Sequence, residues 1–191
     1  MGKNRLEAFS DGVLAIIITI MILEIKIPHG DELISLRPLI PKLISYILSF
    51  TYVGIYWNNH HHLFHTVQKV NGTIMWLNMA LLFSLSLLPF ATDWVGENHF
   101  TQWPVVVYGV TLIIPGITYY LLSQSIIALH GKDSVLAKAV GKDIKGILSL
   151  VLYLIGIGLS FVHPMVGFVI YVLVTMMWFI PDRRIERIQA K

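Results

Sequence analysis

Six stretches of roughly twenty mostly apolar residues recur along this chain, and that recurrence constrains its fold more than any other feature. They run about Ala8–Ile27, Leu39–Asn58, Thr73–Val95, Pro104–Leu129, Ile144–Val162 and Met165–Ile180. About twenty such residues on a helix cross the hydrocarbon of a bilayer. Composition agrees. Over 191 residues the chain is 55% hydrophobic and 13% charged, and its mean hydropathy is +0.71. Soluble domains carry about 25% charged residues, so this chain cannot cover a water-facing surface, and disorder needs the opposite composition. The reading is an all-α integral membrane protein with six transmembrane helices, organised as a single unit over residues 1–191. No polar loop is long enough to house a separate soluble enzyme site.

Cysteine is absent, which removes disulfides, thiolate metal sites and cysteine nucleophiles. The formal charge of +3 reports membrane orientation, not a nucleic-acid partner. One set of loops and ends holds eleven basic residues: Lys3, Arg5, Lys69, Lys132, Lys138, Lys142, Lys145, Arg183, Arg184, Arg187 and Lys191. The other set holds three: Lys26, Arg37 and Lys42. The positive-inside rule then puts both termini in the cytoplasm. Asp11 within the first stretch, with no small-residue cleavage site after Leu23, argues against a cleaved signal peptide. The sequon Asn71-Gly72-Thr73 falls on the cytoplasmic side and is read as chance.

The first stretch places Gly12, Ile16, Thr19, Ile20, Leu23 and Ile27 on one narrow stripe at about 100° per residue. Ordinary helix packing explains such a stripe as readily as a pore wall. Arg5, Ser10 and Asp11 sit in its opening turns. Capping at the membrane surface is one reading of Ser10 and Asp11, helped by the helix dipole. The other is that Asp11 has a partner, because an acid in a spanning helix is costly without one.

The second stretch ends in Tyr56-Trp57-Asn58-Asn59-His60-His61-His62-Leu63-Phe64-His65. His61 and His65 share a helix face at a spacing that can bind metal. A single cluster is a weak case for a metal enzyme, however, and the expectation is no metal and no cofactor. A histidine bonded to Asp11 is better motivated, with His60 slightly ahead of His61. Asn78, inside the third stretch, needs an interhelical partner. Pro89 should kink or end that helix, and Pro115-Gly116 should bend the fourth.

These residues also carry a family resemblance. Arg5-x-x-x-Phe9-Ser10-Asp11 on the first of six spans resembles the signature of the transmembrane protein 175 family of potassium channels. Trp57-x-Asn59-His60-His61-x-Leu63-Phe64 is similar to that family's element at the end of the second span, and Trp76-x-Asn78 with Pro89-Phe90-x-Thr92 resembles its third. The likeness covers the first half of the chain. The second half matches in hydropathy and span count, and the length resembles the short prokaryotic branch.

The resemblance implies a non-enzymatic, potassium-permeable channel in a prokaryotic plasma membrane. It implies a homotetramer whose four first helices line the pore. Ile16, Thr19 and Leu23 would then form the constriction, with Gly12, Ile20 and Ile27 also facing the pore. Arg5, Phe9, Ser10, Asp11, His60, His61 and Asn78 would form a polar network holding the helices together. The partners are lipid, monovalent cations and other copies of the chain. No Thr-Val-Gly-Tyr-Gly filter occurs in the sequence, so a carbonyl cage is not available. Apolar rings at Ile16 and Leu23 can gate by dewetting. The Thr19 hydroxyls imply modest selection of K⁺ over Na⁺. The competing expectation is a secondary transporter of a cation or small solute, for which Pro115-Gly116 could supply a broken helix.

Overall fold

A computed structural model describes residues 2–131, 133–134, 136–137 and 143–179. The polar loop at about 130–143, which the sequence suggests is a short amphipathic piece, lies half outside this set. So do Lys132, Lys138, Lys142, Arg183, Arg184, Arg187 and Lys191 of the basic set. Among the described residues there are seven α-helices and one 3₁₀ segment, and no strand. The helices are α1 (Lys3–Leu23), α2 (Ile40–His65), α3 (Gly72–Leu85), α4 (Leu88–Glu97), α5 (Gln102–His130), α6 (Ile144–Ser160) and α7 (Pro164–Phe179). The 3₁₀ segment, Leu33–Leu39, precedes α2.

They make six passes, because α3 and α4 together form one apolar stretch, Gly72–Glu97. That stretch was expected as a single helix with a kink or stop at Pro89. The break comes just before the proline. Ser86 and Leu87 are a turn, and Pro89 occupies the first turn of α4, where its missing N–H costs nothing. By contrast, α5 continues through Pro115.

Local chemistry sets several other boundaries. Asn71 caps α3, its side chain accepting from the Ile74 N–H at 2.9 Å, which gives the Asn71-Gly72-Thr73 sequence a structural role. Asp143 caps α6 through the Gly146 N–H at 2.9 Å. α1 stops at Leu23, four residues before the expected end at Ile27; Glu24 forms a turn with a helical backbone, and residues 26–28 carry no regular secondary structure.

The helices pack in two groups that share α5. On one side α1 lies against α2, α3 and α4. On the other, α6 and α7 pair and dock on α5. Buried hydroxyls join α2, α4 and α5: Ser49 Oγ is 2.6 Å from Thr92 Oγ1 and 2.8 Å from the Tyr108 hydroxyl. At one end of the bundle Lys42 of α2 bridges Asp93 (3.0 Å) and Glu97 of α4. At the opposite end the Lys3 ammonium donates to the His65 carbonyl, and His130 Nε2 accepts from the Gln68 N–H at 3.0 Å. These ties gather the start of α1 and the ends of α2 and α5 at one end of the bundle.

Small residues set the spacing of α5 and α7. A Cβ at Gly109 would fall on the Tyr171 hydroxyl, whereas one at Gly158 would meet nothing within 4 Å. Overpacking costs about 1–3 kcal/mol. Gly109→Ala should therefore lower the thermal unfolding midpoint in detergent by several degrees, while Gly158→Ala leaves it unchanged or slightly raised. Equal midpoints for the two variants would contradict this packing.

Candidate functional site: the first helix and its polar clasp

α1 has two unlike faces. Leu6, Ser10, Leu14, Ile17 and Met21 are buried against the rest of the chain. On the other side Gly12, Ala15, Ile16, Thr19, Ile20 and Leu23 are exposed, Ile16 at 58% and Leu23 at 77%. Phe9 and Arg5 are exposed as well. In water such a face would be untenable; in a bilayer it needs lipid, a pore or another copy of the chain against it. Ile27 is 89% exposed but lies four residues beyond the end of α1. Its placement on the helical stripe is therefore corrected: it sits in the segment after the helix.

Three helices are clasped by a directional run of hydrogen bonds. His60 Nε2 on α2 is 2.7 Å from Asn78 Oδ1 on α3. The Asn78 amide donates to Ser10 Oγ on α1 at 2.9 Å, and the Ser10 hydroxyl donates to the Leu6 carbonyl at 2.8 Å. Since the Asn78 nitrogen is committed to Ser10, its oxygen accepts, and His60 carries its proton on Nε2. Ser10, His60 and Asn78 are all buried, and the His60 ring stacks on Phe64 at 4.4 Å. Each group meets the demand that a buried polar atom be bonded, except His60 Nδ1, which has no partner among the described residues.

Asp11 is held differently from the expectation. Its carboxylate accepts from the Trp57 indole N–H at 3.1 Å, not from a histidine. The capping reading of Asp11 also fails. α1 begins at Lys3, so Asp11 is more than two turns into the helix, about 12 Å along its axis. His61 reaches a different acid, with Nδ1 3.4 Å from Glu7 Oε1, and stacks beside Trp57. The polar residues thus fall into three small sets: Ser10–Asn78–His60, Asp11–Trp57 and Glu7–His61. Arg5 and Phe9 join none of them among the described residues.

Trp57 and Glu7 are the residues that sequence reasoning missed. Trp57 lies one helical turn before His61 and has a donor-only indole N–H, which is the signal that could have found it. Among the described residues no group of three or more His, Asp or Glu is arranged to hold a metal.

On the exposed face Thr19 directs its hydroxyl hydrogen back into α1, where the carbonyls of Ala15 and Ile16 each lie 3.0 Å away. Its donor is thereby used inside the helix. The oxygen lone pairs left over face outward, and these suit a cation better than an anion.

An all-helical, six-pass membrane bundle with this first-helix signature defines a class, and comparison with known proteins places the chain within it. Residues 5–89 match the family model described as endosomal/lysosomal potassium channel TMEM175. The potassium channel HX13_20290 of Chryseobacterium sp. (strain P1-3) is 54% identical over 98% of this chain and 97% of its own length. The endosomal/lysosomal proton channel TMEM175 of Homo sapiens is 36% identical, over 48% of this chain and 20% of its own length. The crystal structure of a lysosomal potassium-selective channel TMEM175 homolog from Chamaesiphon minutus superposes with a TM-score of 0.82 at 26% identity. It covers 94% of this chain and 97% of that one. The chain belongs to the TMEM175 family and is a multi-pass membrane protein.

The clasp ranks its members. Asn78→Ala strands the buried His60 Nε2–H, at about 1–3 kcal/mol, and also takes a donor from Ser10 Oγ, whose own hydrogen stays on the Leu6 carbonyl, whereas Trp57→Phe removes one bond from a partly exposed carboxylate. Asn78→Ala should lower the unfolding midpoint more than Trp57→Phe, as read by fluorescence-detected size exclusion after heating. The reverse order would overturn the ranking.

Proposed function

We propose that the chain is a passive, potassium-permeable cation channel. Four copies would pack so that the exposed faces of their first helices line a shared pore. The observation that carries this reading is the unpartnered face of α1: Gly12, Ile16, Thr19, Ile20 and Leu23 point away from the chain's own core. They do so in a family whose relatives are named channels, not enzymes. A single chain encloses no pore along this face, so other copies must complete one.

In this reading Ile16 and Leu23 form two apolar rings, Thr19 a hydroxyl ring between them, and Ile27 stands at the mouth beyond the helix end. A narrow apolar ring excludes water and hence ions until it widens. The only hydroxyl in the constriction is that of Thr19, and a cation shedding water there meets oxygen lone pairs. One such ring offers far fewer coordinating oxygens than a carbonyl filter, which argues for modest preference for K⁺ over Na⁺. No Arg-repeat sensor helix is present, so opening should depend little on voltage.

The clasp around Ser10 and Asn78 is the support for this arrangement: it fixes the rotation of α1 and so decides which face meets the pore. The basic residues near the start of α1 and on the connections at that end favour a cytoplasmic location there. The bacterial relative favours the plasma membrane of a prokaryote. Residues 1–191 act as one channel unit, with permeant ions as the only ligands the activity needs. The continuity of α5 through Pro115 removes the broken helix that favoured a transporter.

The test is ion flux into liposomes from purified protein under K⁺ or Na⁺ gradients. Passive flux should favour K⁺. Leu23→Ala or Ile16→Ala should raise the flux severalfold by widening an apolar ring, and Thr19→Ala should reduce the K⁺/Na⁺ ratio while leaving current intact. Flux indifferent to all three positions would return the face to plain packing.

A further inference from the structure

The helices α2, α5, α6 and α7, with no residue of α1, line a cavity of about 430 Å³, within the range of small-molecule sites. Its wall is aromatic and aliphatic, with Tyr56, Tyr119 and Tyr153 prominent. Ile117, Tyr120 and Ile147 also line it, and all three are exposed, so the cavity opens sideways onto the surface that faces lipid. At its polar end stand Asn59 and Asp143. None of these residues lines the proposed pore.

Asp143 is the informative group. A carboxylate beside an apolar cavity needs a partner or a strong local dipole. One of its oxygens accepts from the Gly146 N–H at the start of α6, where the helix dipole favours a negative charge. Among the described residues it makes no ion pair. Two residues on, the Lys145 ammonium stands 4.6 Å over the Trp178 ring, and Trp178 lines the same cavity. An apolar chamber open to the bilayer, with a carboxylate at its polar end and tyrosine rings that attract cations, complements an amphiphile with a positively charged head. A headgroup that lacks an ammonium would leave the carboxylate without a partner.

We propose that this cavity binds a phospholipid with a primary ammonium headgroup, its ammonium on Asp143 and an acyl chain along the wall of Tyr56, Tyr119 and Tyr153. A primary ammonium donates up to three N–H bonds to the carboxylate. A quaternary one can donate none. The ligand enters from the membrane, through the opening between α5 and α6.

Native mass spectrometry of the detergent-purified protein, titrated with phosphatidylethanolamine, phosphatidylcholine or phosphatidylglycerol, tests this. Phosphatidylethanolamine should be retained about tenfold more tightly than the other two, equivalent to one charge-assisted hydrogen bond. Asp143→Asn keeps a good helix cap and should erase that preference. Gly116→Leu, whose Cβ would stand 3.6 Å from the Tyr56 hydroxyl on the cavity wall without a clash, adds bulk to that wall and should reduce retention of all three lipids. Phosphatidylglycerol bound as tightly as phosphatidylethanolamine would overturn the proposal, as would a preference untouched by Asp143→Asn. Should either variant fail to fold, a phosphatidylethanolamine with a photoreactive acyl chain can be cross-linked to the unaltered protein. Labelling should fall on the cavity wall, and labelling confined to other surfaces would overturn the site.

Discussion

The rotation of α1 about its own axis governs much of the rest of the structure. From Gly12 to Leu23 this helix is apolar but for Thr19, and in a bilayer the hydrophobic effect hardly distinguishes one face of that stretch from another, since lipid tails are as apolar as leucine. Polar groups must do the orienting. The buried run from His60 through Asn78 to Ser10 does so, because leaving any of the three unbonded in hydrocarbon costs more than a small packing defect. With Ser10 turned inward, Leu6, Leu14, Ile17 and Met21 follow on the same side, and Ile16, Thr19 and Leu23 are carried to the other. A run of single hydrogen bonds from one residue on each of three helices thereby sets the chemistry of the surface that α1 presents.

A second consequence concerns division of labour along the chain. The first four helices carry the signature residues and the clasp. α6 and α7 dock on α5, packed through glycine against tyrosine, and hold the aromatic cavity with Asp143 at its edge. Sequence identity to the human relative spans about half of this chain, while the superposition on the Chamaesiphon structure covers 94% of it. The family model covers residues 5–89, within the first half, whereas the shared architecture extends over both halves.

Much of the fold was legible from hydropathy alone, because a bilayer demands apolar runs of a set length and α5, α6 and α7 have ends within a few residues of those expected. The split of the third span was half legible: Pro89 announced a break, but that Ser86 and Leu87 would form the turn depends on packing between α4 and its neighbours. The end of α1 was misplaced because apolar residues continue at Ile25 and Ile27, whereas the helix gives way to a turn at Glu24, ahead of Pro28. At the site, the outward stripe followed from periodicity. The partner of Asp11 did not, since choosing Trp57 over His60 depends on where α3 presents Asn78. Once Asn78 takes His60, the indole one turn earlier is the donor left within reach of Asp11.

The central claim is that the exposed face of α1 meets the conducting pathway. The absence of cysteine makes single-cysteine variants direct reporters. Ion flux through liposome-reconstituted protein would be measured before and after a small, water-soluble thiol reagent. Ile16→Cys, Thr19→Cys and Leu23→Cys should be blocked, while Leu14→Cys and Ile17→Cys on the buried face and Leu154→Cys, exposed on α6, should not. Block at Leu154→Cys as strong as at the α1 face, or no block at Ile16 and Leu23, would contradict it.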